Sequence, residues 1–143
     1  MHLVRDTARA FRLPRGSWRP LGRAMLELAL ARMRLGGDHK EHLRNSKTAR
    51  RSATVPLTSA QARLVEQIAL AIPRIAHRVP WRADCLVQAL AGERWLRRRG
   101  IAAQIVIGVK TGGPAPLDAH AWLEAGGHIV TGGEIAAFVP LTD

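Results

Sequence analysis

Tyrosine is absent from this chain, phenylalanine occurs twice and cysteine once. So few aromatic rings leave little from which to build the stacking platforms that grip single-stranded nucleic acid. One cysteine cannot close an internal disulfide, so nothing points to an oxidising compartment. Acidic residues are also scarce, with 11 Asp and Glu against 22 Lys and Arg and a formal charge of +11. No apolar run is long enough to span a bilayer. The best candidate, Leu21 to Leu35, is broken by Arg23, Glu27, Arg32 and Arg34. The N-terminus lacks the apolar core and small-residue cleavage site of a secretory signal, and the cytoplasm is the expected location.

What remains is the composition of one globular domain. Hydrophobic residues make up 47% and charged residues 23% of the 143, enough to bury a core and too apolar for general disorder. The basic excess attracts polyanions, acidic peptides or anionic surfaces and says nothing about fold. It is concentrated before residue 55 and in Arg94-Trp95-Leu96-Arg97-Arg98-Arg99. A solvated basic surface is the simplest reading. No recognition-helix motif is readable, so neither nucleic acid nor membrane is an expected partner, and a basic nucleic-acid-binding module stands only as an alternative.

The pattern divides the chain into an N-terminal helix with a basic linker (1–55) and a mixed region (56–143). Trp18-Arg19-Pro20-Leu21 opens a helix stopped by Gly36-Gly37, with Leu21, Met25, Leu28 and Leu35 plus Ala24 and Ala31 as its apolar stripe. Asp38 to Ala53 is polar, basic and aperiodic, a linker. His39 and His42 have ligand-like spacing but no third ligand nearby, so no metal site is expected. Thr58-Ser59-Ala60-Gln61 fits a capping box, followed by Leu64, Ile68, Ile72 and Ile75 at helical spacing. Pro73 is expected to kink or split that helix, and Val79-Pro80 to end it. Asp84 caps a third helix that Gly100 closes. Ile101 to Val109 is short, apolar and rich in β-branched residues, as a buried strand should be. A loop over Thr111–Pro116, a strand over Ala119–Ala125, a Gly126-Gly127 turn and a strand over His128–Thr131 complete the chain. Helices followed by an antiparallel sheet make an α+β layout.

Within that layout Cys85 falls in the first turn of a helix, where unpaired N–H groups and the helix dipole favour an anion. His120 lies on a later strand, in Asp118-Ala119-His120-Ala121-Trp122-Leu123-Glu124. A cysteine opening a helix and a histidine on a strand is the arrangement of papain-like and transglutaminase-like enzymes. The plainer alternative is a small buried side chain at 85 and an unrelated histidine at 120. Trp81 and Trp122 are candidates to line a substrate cleft, against helix-entry stapling for the first and core packing for the second. His77, His128 and Arg97–Arg99 read as solvated surface.

The segments Trp81-Arg82-Ala83-Asp84-Cys85-Leu86-Val87-Gln88-Ala89-Leu90, Leu96-Arg97-Arg98-Arg99-Gly100-Ile101 and His120-Ala121-Trp122-Leu123-Glu124 together resemble the lasso-peptide biosynthesis B2 proteins. These are transglutaminase-like leader peptidases, and the resemblance covers roughly residues 56 to 143. It implies a helical part packed on a small antiparallel sheet and a cysteine protease without cofactor, with Cys85 as nucleophile and His120 as base. It implies that the enzyme cuts the leader from a precursor peptide and frees the core for a lasso cyclase. A separate leader-recognition protein is also implied, because the first 55 residues are too poor in strands to form such a module.

One departure stands out. Such families place an aspartate about a dozen residues after the histidine, where this chain has Thr131-Gly132-Gly133 and then Glu134. A three-residue Gly126-Gly127-His128 loop would set His120 opposite Glu134, and a two-residue loop would set it opposite Gly133. Glu134 is the candidate third catalytic residue, with Asp118, a backbone carbonyl or a water as alternatives. A non-catalytic peptide-binding scaffold of the same fold remains a competing reading.

Overall fold

The computed structural model describes residues 18–34, 53–114 and 117–141. Three helices, α1 (Trp18–Arg34), α2 (Ser59–Ala76) and α3 (Cys85–Arg98), precede β1 (Gln104–Lys110), β2 (Asp118–Ala125), β3 (His128–Thr131) and β4 (Val139–Pro140). The strands form one antiparallel sheet in the order β3-β2-β1-β4. The expected α+β layout is present. The His39/His42 pair and all of the expected linker except its last residue, Ala53, lie outside the described residues.

Local chemistry explains where the helices start and stop. Thr58 accepts from the Gln61 N–H while the Gln61 side chain accepts from the Thr58 N–H, so the capping box forms in full. Asp84 caps α3 by accepting from the Val87 N–H at 3.2 Å. At the other end Gly100 takes φ +69°, its N–H bonds Arg97 O, and the Ile101 N–H reaches back to Leu96 O. That is a Schellman closure, and it commits Ile101 to the helix end, so β1 begins at Gln104 and not at Ile101. Pro73 does not split α2. The helix continues to Ala76, because a proline this near the C-terminus sacrifices one hydrogen bond while Ile68, Ile72 and Ile75 keep the same face buried.

The core lies between the helices and one sheet face, and α1 belongs to it. Ala24, Leu28 and Ala31 pack in the same cluster as Ile68, Leu96 and Leu123, so the division at residue 55 does not separate two cores. Met25, expected in the stripe, is exposed. Glu27 turns inward, and its fully buried carboxylate meets Arg23 at 2.6 Å and Arg94 of α3 at 2.9 Å. Ala53 is buried as well, and its carbonyl accepts from the Gly126 N–H at 2.7 Å.

Gly126 and Gly127 both take positive φ, +56° and +79°, the two-residue hairpin turn that only such residues make without strain. Pairing starts as Ala125–His128 and Glu124–Ile129, then shifts to Leu123–Thr131, leaving Val130 as the extra residue of a β-bulge. The loop is thus the two-residue form, with the register displaced by one just beyond it. β4 was not legible in the sequence.

Candidate active site

α3 begins at Cys85 itself. The N–H groups of Cys85 and Leu86 find no acceptor among the described residues, whereas Val87 bonds the Asp84 carboxylate and Gln88 bonds the Asp84 carbonyl. The Gln88 side chain donates to Ala83 O at 2.9 Å, tying the preceding loop to the helix. Cys85 is a half-buried free thiol. It shares a helix stripe with Gln88 and Gly92 (spacing three and four), the stripe that faces the sheet. A Cβ on Gly92 would stand 2.6 Å from Leu123 Cδ2 and 3.6 Å from Thr131 Cγ2, so α3 and β2 touch there with nothing between them.

That contact sets the level of the site. The short connection from α3 into β1 reverses the chain, and β2 runs antiparallel to β1, so α3 and β2 point the same way. Going back seven residues from Gly92 to Cys85 covers about 10 Å of helix, and going back three from Leu123 to His120 covers about 10 Å of strand. Cys85 and His120 therefore lie at the same end of the two layers. Alternation on β2 turns Leu123 toward α3, and turns His120 and Trp122 to the other side with Gly108 and Val106 of β1. Among the described residues no hydrogen bond joins Cys85 to His120, whose side chain leaves the sheet on the face turned away from α3.

His120 is held on two sides. Its Nε2 lies 2.6 Å from the carbonyl oxygen of Gly132, and its ring stacks on Phe138 with centroids 4.9 Å apart. A carbonyl only accepts, so Nε2 carries a proton, and in the neutral imidazole Nδ1 is then the nitrogen with the lone pair. Nδ1 has no hydrogen-bond partner among the described residues. Glu134, the sequence candidate for the partner of this ring, is exposed and makes no hydrogen bond or ion pair among the described residues. Asp118 faces Lys110 at 3.6 Å. The atom that meets the ring is a backbone carbonyl, one of the alternatives to Glu134 that the sequence left open.

Trp122 corrects the expectation of a cleft wall. It is 1% exposed, its indole Nε1–H donates to Glu124 at 2.8 Å, and its ring lies against Gly108. It supports the strand beneath His120 and offers no surface to a substrate. Trp81 is half-buried in the loop before α3, and its indole N–H is enclosed without a partner among the described residues. His77 and His128 are exposed. Among the described residues no group of His, Cys, Asp and Glu is placed to hold a metal ion, and no helix is long and apolar enough to cross a membrane.

A helix opening on cysteine, packed on an antiparallel sheet that carries a carbonyl-fixed histidine, is a transglutaminase-type arrangement, and the family comparison agrees. The transglutaminase-like superfamily matches residues 23–143, and the chain belongs to it. The match starts inside α1, which agrees with that helix sharing the core. The chain is also 39% identical over 56 residues to the microcin J25-processing protein McjB of Escherichia coli. That stretch is 39% of this chain and 26% of McjB, so it spans about a quarter of that protein. This accords with the resemblance to the lasso-peptide B2 proteins. No solved structure matches.

Proposed function

We propose that the chain is a cysteine peptidase of lasso-peptide maturation, removing the leader from a ribosomally made precursor. The observation that carries this reading is the His120 ring, fixed through Nε2 to Gly132 with Nδ1 left as a base, at the same level as a thiol that opens a helix. The likeness to a microcin-processing protein supplies the substrate class.

In the proposed reaction the Cys85 sulfur, its proton passed to His120 Nδ1, attacks the scissile carbonyl. A carbon–sulfur bond forms, and the tetrahedral oxyanion is met by the N–H groups of Cys85 and Leu86. The carbon–nitrogen bond then breaks and the imidazolium protonates the departing amine. Water, deprotonated by His120, hydrolyses the thioester to a carboxylate and restores the thiol. Gly132, in the place foreseen for Glu134, keeps the imidazole in the tautomer both steps need. A separate protein that presents the leader and a cyclase that closes the freed core complete the proposed pathway, which would run in the cytoplasm without a cofactor.

The test is cleavage of the precursor encoded beside this chain, with its leader-binding partner present, read by mass spectrometry. The expected result is a released leader that disappears in Cys85→Ala while the folded state persists. Full cleavage by Cys85→Ala would overturn the peptidase reading. Binding of the precursor without any cleavage by the wild type would leave the non-catalytic scaffold in its place.

A further inference from the structure

α1 carries two apolar faces, and the core uses one of them. Ala24, Glu27, Leu28 and Ala31 turn inward. On the opposite side Trp18, Met25, Leu26, Ala29 and Met33 fall, at 3.6 residues per turn, within an arc about 100° wide. Trp18 is 70% exposed, Met33 75%, Leu26 51% and Met25 48%. Scattered apolar residues on a surface need no explanation, but four large ones aligned along one helix mark a contact surface. Arg19 and Arg32, each about 20° outside that arc, edge this seam and are exposed. The only carboxylate of α1, Glu27, is buried against Arg23 and Arg94. The outward side of the helix is therefore an apolar seam with positive charge alone along its borders.

We infer that this face docks an amphipathic helix of a second polypeptide whose apolar seam is bordered by acidic side chains. Charge decides the occupant. A second copy of this chain would set arginine against arginine. The chain's own neighbouring segments are no better, since residues 1–17 hold Arg5, Arg9, Arg12 and Arg15 against Asp6. Residues 35–52 hold Lys40, Arg44, Lys47, Arg50 and Arg51 against Asp38 and Glu41. A membrane-lying helix sinks a broad apolar half into the lipid boundary. This arc has the width of a helix–helix seam, and Met25 and Met33 are the adaptable side chains favoured where peptides are gripped. The inference does not depend on the peptidase reading, because no residue of the seam belongs to the proposed site.

The experiment uses the full chain, both as wild type and as Cys85→Ala so that docking is scored apart from cleavage. The probes are two labelled synthetic helices of about five turns, each with one leucine seam, one bordered by glutamates and one by lysines. Fluorescence anisotropy is expected to show binding of the acidic peptide, weakened about tenfold or more by Met25→Gln/Met33→Gln. Raising salt to about 1 M, where the Debye length is only about 3 Å, should weaken it further. Both positions are exposed, so melting curves should not move. Arg19→Glu/Arg32→Glu, which changes both borders and leaves the seam, should shift preference toward the lysine peptide. Failure of the acidic peptide to bind, equal binding of both peptides, or indifference to the seam variants would overturn the proposal. So would seam-dependent capture by phosphatidylglycerol vesicles with no binding of the acidic peptide.

Discussion

Gly132→Ala is the substitution on which the site geometry makes its strongest demand. Gly132 has φ +113°, a region that L side chains rarely adopt. A Cβ built there would stand 2.3 Å from Trp122 Cβ, 2.9 Å from Trp122 Cα and 3.3 Å from Ala121 O. Two of these obstacles are backbone, and Trp122 is enclosed on every side, so the residue that yields must be 132 itself. Backbone strain of about 1–3 kcal/mol and overpacking of about 1–3 kcal/mol add to a cost of roughly 2–6 kcal/mol. Set against a typical total of about 5–15 kcal/mol, this leaves a folded but weakened protein. Relief comes by moving the peptide whose carbonyl holds His120 at 2.6 Å. Displacement of a catalytic group by about 1 Å can cost about 10²-fold in rate.

The neighbouring residue provides the control. Gly133 also has positive φ, +63°, but a Cβ there meets nothing within 4 Å. Gly133→Ala should therefore lose about 1–2 kcal/mol to left-handed strain and keep most of its activity. The assay is leader release per folded molecule, with thermal melting run alongside to separate stability from rate. Gly132→Ala that folds and cleaves at the wild-type rate would refute the role given to the carbonyl. Equal rate losses in the two variants would trace the effect to loop stability instead.

Further outcomes follow from the same contacts. Glu134→Gln should cleave within about threefold of wild type, well short of the ~10⁴ lost when an orienting carboxylate is neutralised in a serine triad; a loss of a hundredfold would return Glu134 to the site. Wild type should be alkylated by iodoacetamide once per chain, at Cys85, with cleavage lost in proportion; an alkylated protein that still cleaves would exclude the thiol from catalysis. Asp84→Ala removes the side chain that accepts from Val87 and should cost about 0.5–2 kcal/mol in a denaturant titration, with a rate loss because the frayed turn contains Cys85. Glu27→Ala strands Arg94 beside a buried cavity and should cost about 3–5 kcal/mol; a change below 1 kcal/mol would show that the buried pair does not hold α1 down.

The parts of the fold that were legible are those decided within a few residues. Thr58 with Gln61, Asp84 before Cys85, Gly100 after Arg99 and the Gly126-Gly127 turn each satisfy backbone groups locally, and each appears where its chemistry requires. What escaped was decided across the chain. Met25, expected inward, turns outward, and Glu27 is held inward because Arg94, far along the sequence, arrives to neutralise its carboxylate. β4 contains Pro140 and only two residues, so it carries no alternation to read; it exists because β1 offers it an edge. The shift at Val130 is a tertiary choice as well, since it brings both Val130 and Thr131 into the buried layer.

The same reasoning bears on why a glycine pair stands where relatives of this type are expected to keep an aspartate. A serine nucleophile is neutral before attack, so the imidazolium that forms gains much from a carboxylate behind it. In the proposed dyad the cysteine passes its proton to the base as it attacks, so the counter-charge to the imidazolium comes from the sulfur's own reaction and not from a carboxylate. What the histidine still needs is a fixed tautomer and a fixed plane. The Gly132 carbonyl at 2.6 Å sets the first, and Phe138 at 4.9 Å sets the second. The carbonyl reaches the ring only because residue 132 adopts φ +113° against the Trp122 backbone, where any Cβ would collide. Glycine at 132 is on this view the means by which the backbone does the orienting, and an aspartate there would displace the carbonyl through the collision of its Cβ with Trp122. Gly132→Asp should accordingly be no better than Gly132→Ala in cleavage, and a variant with an added carboxylate at 132 that outperforms wild type would contradict the argument.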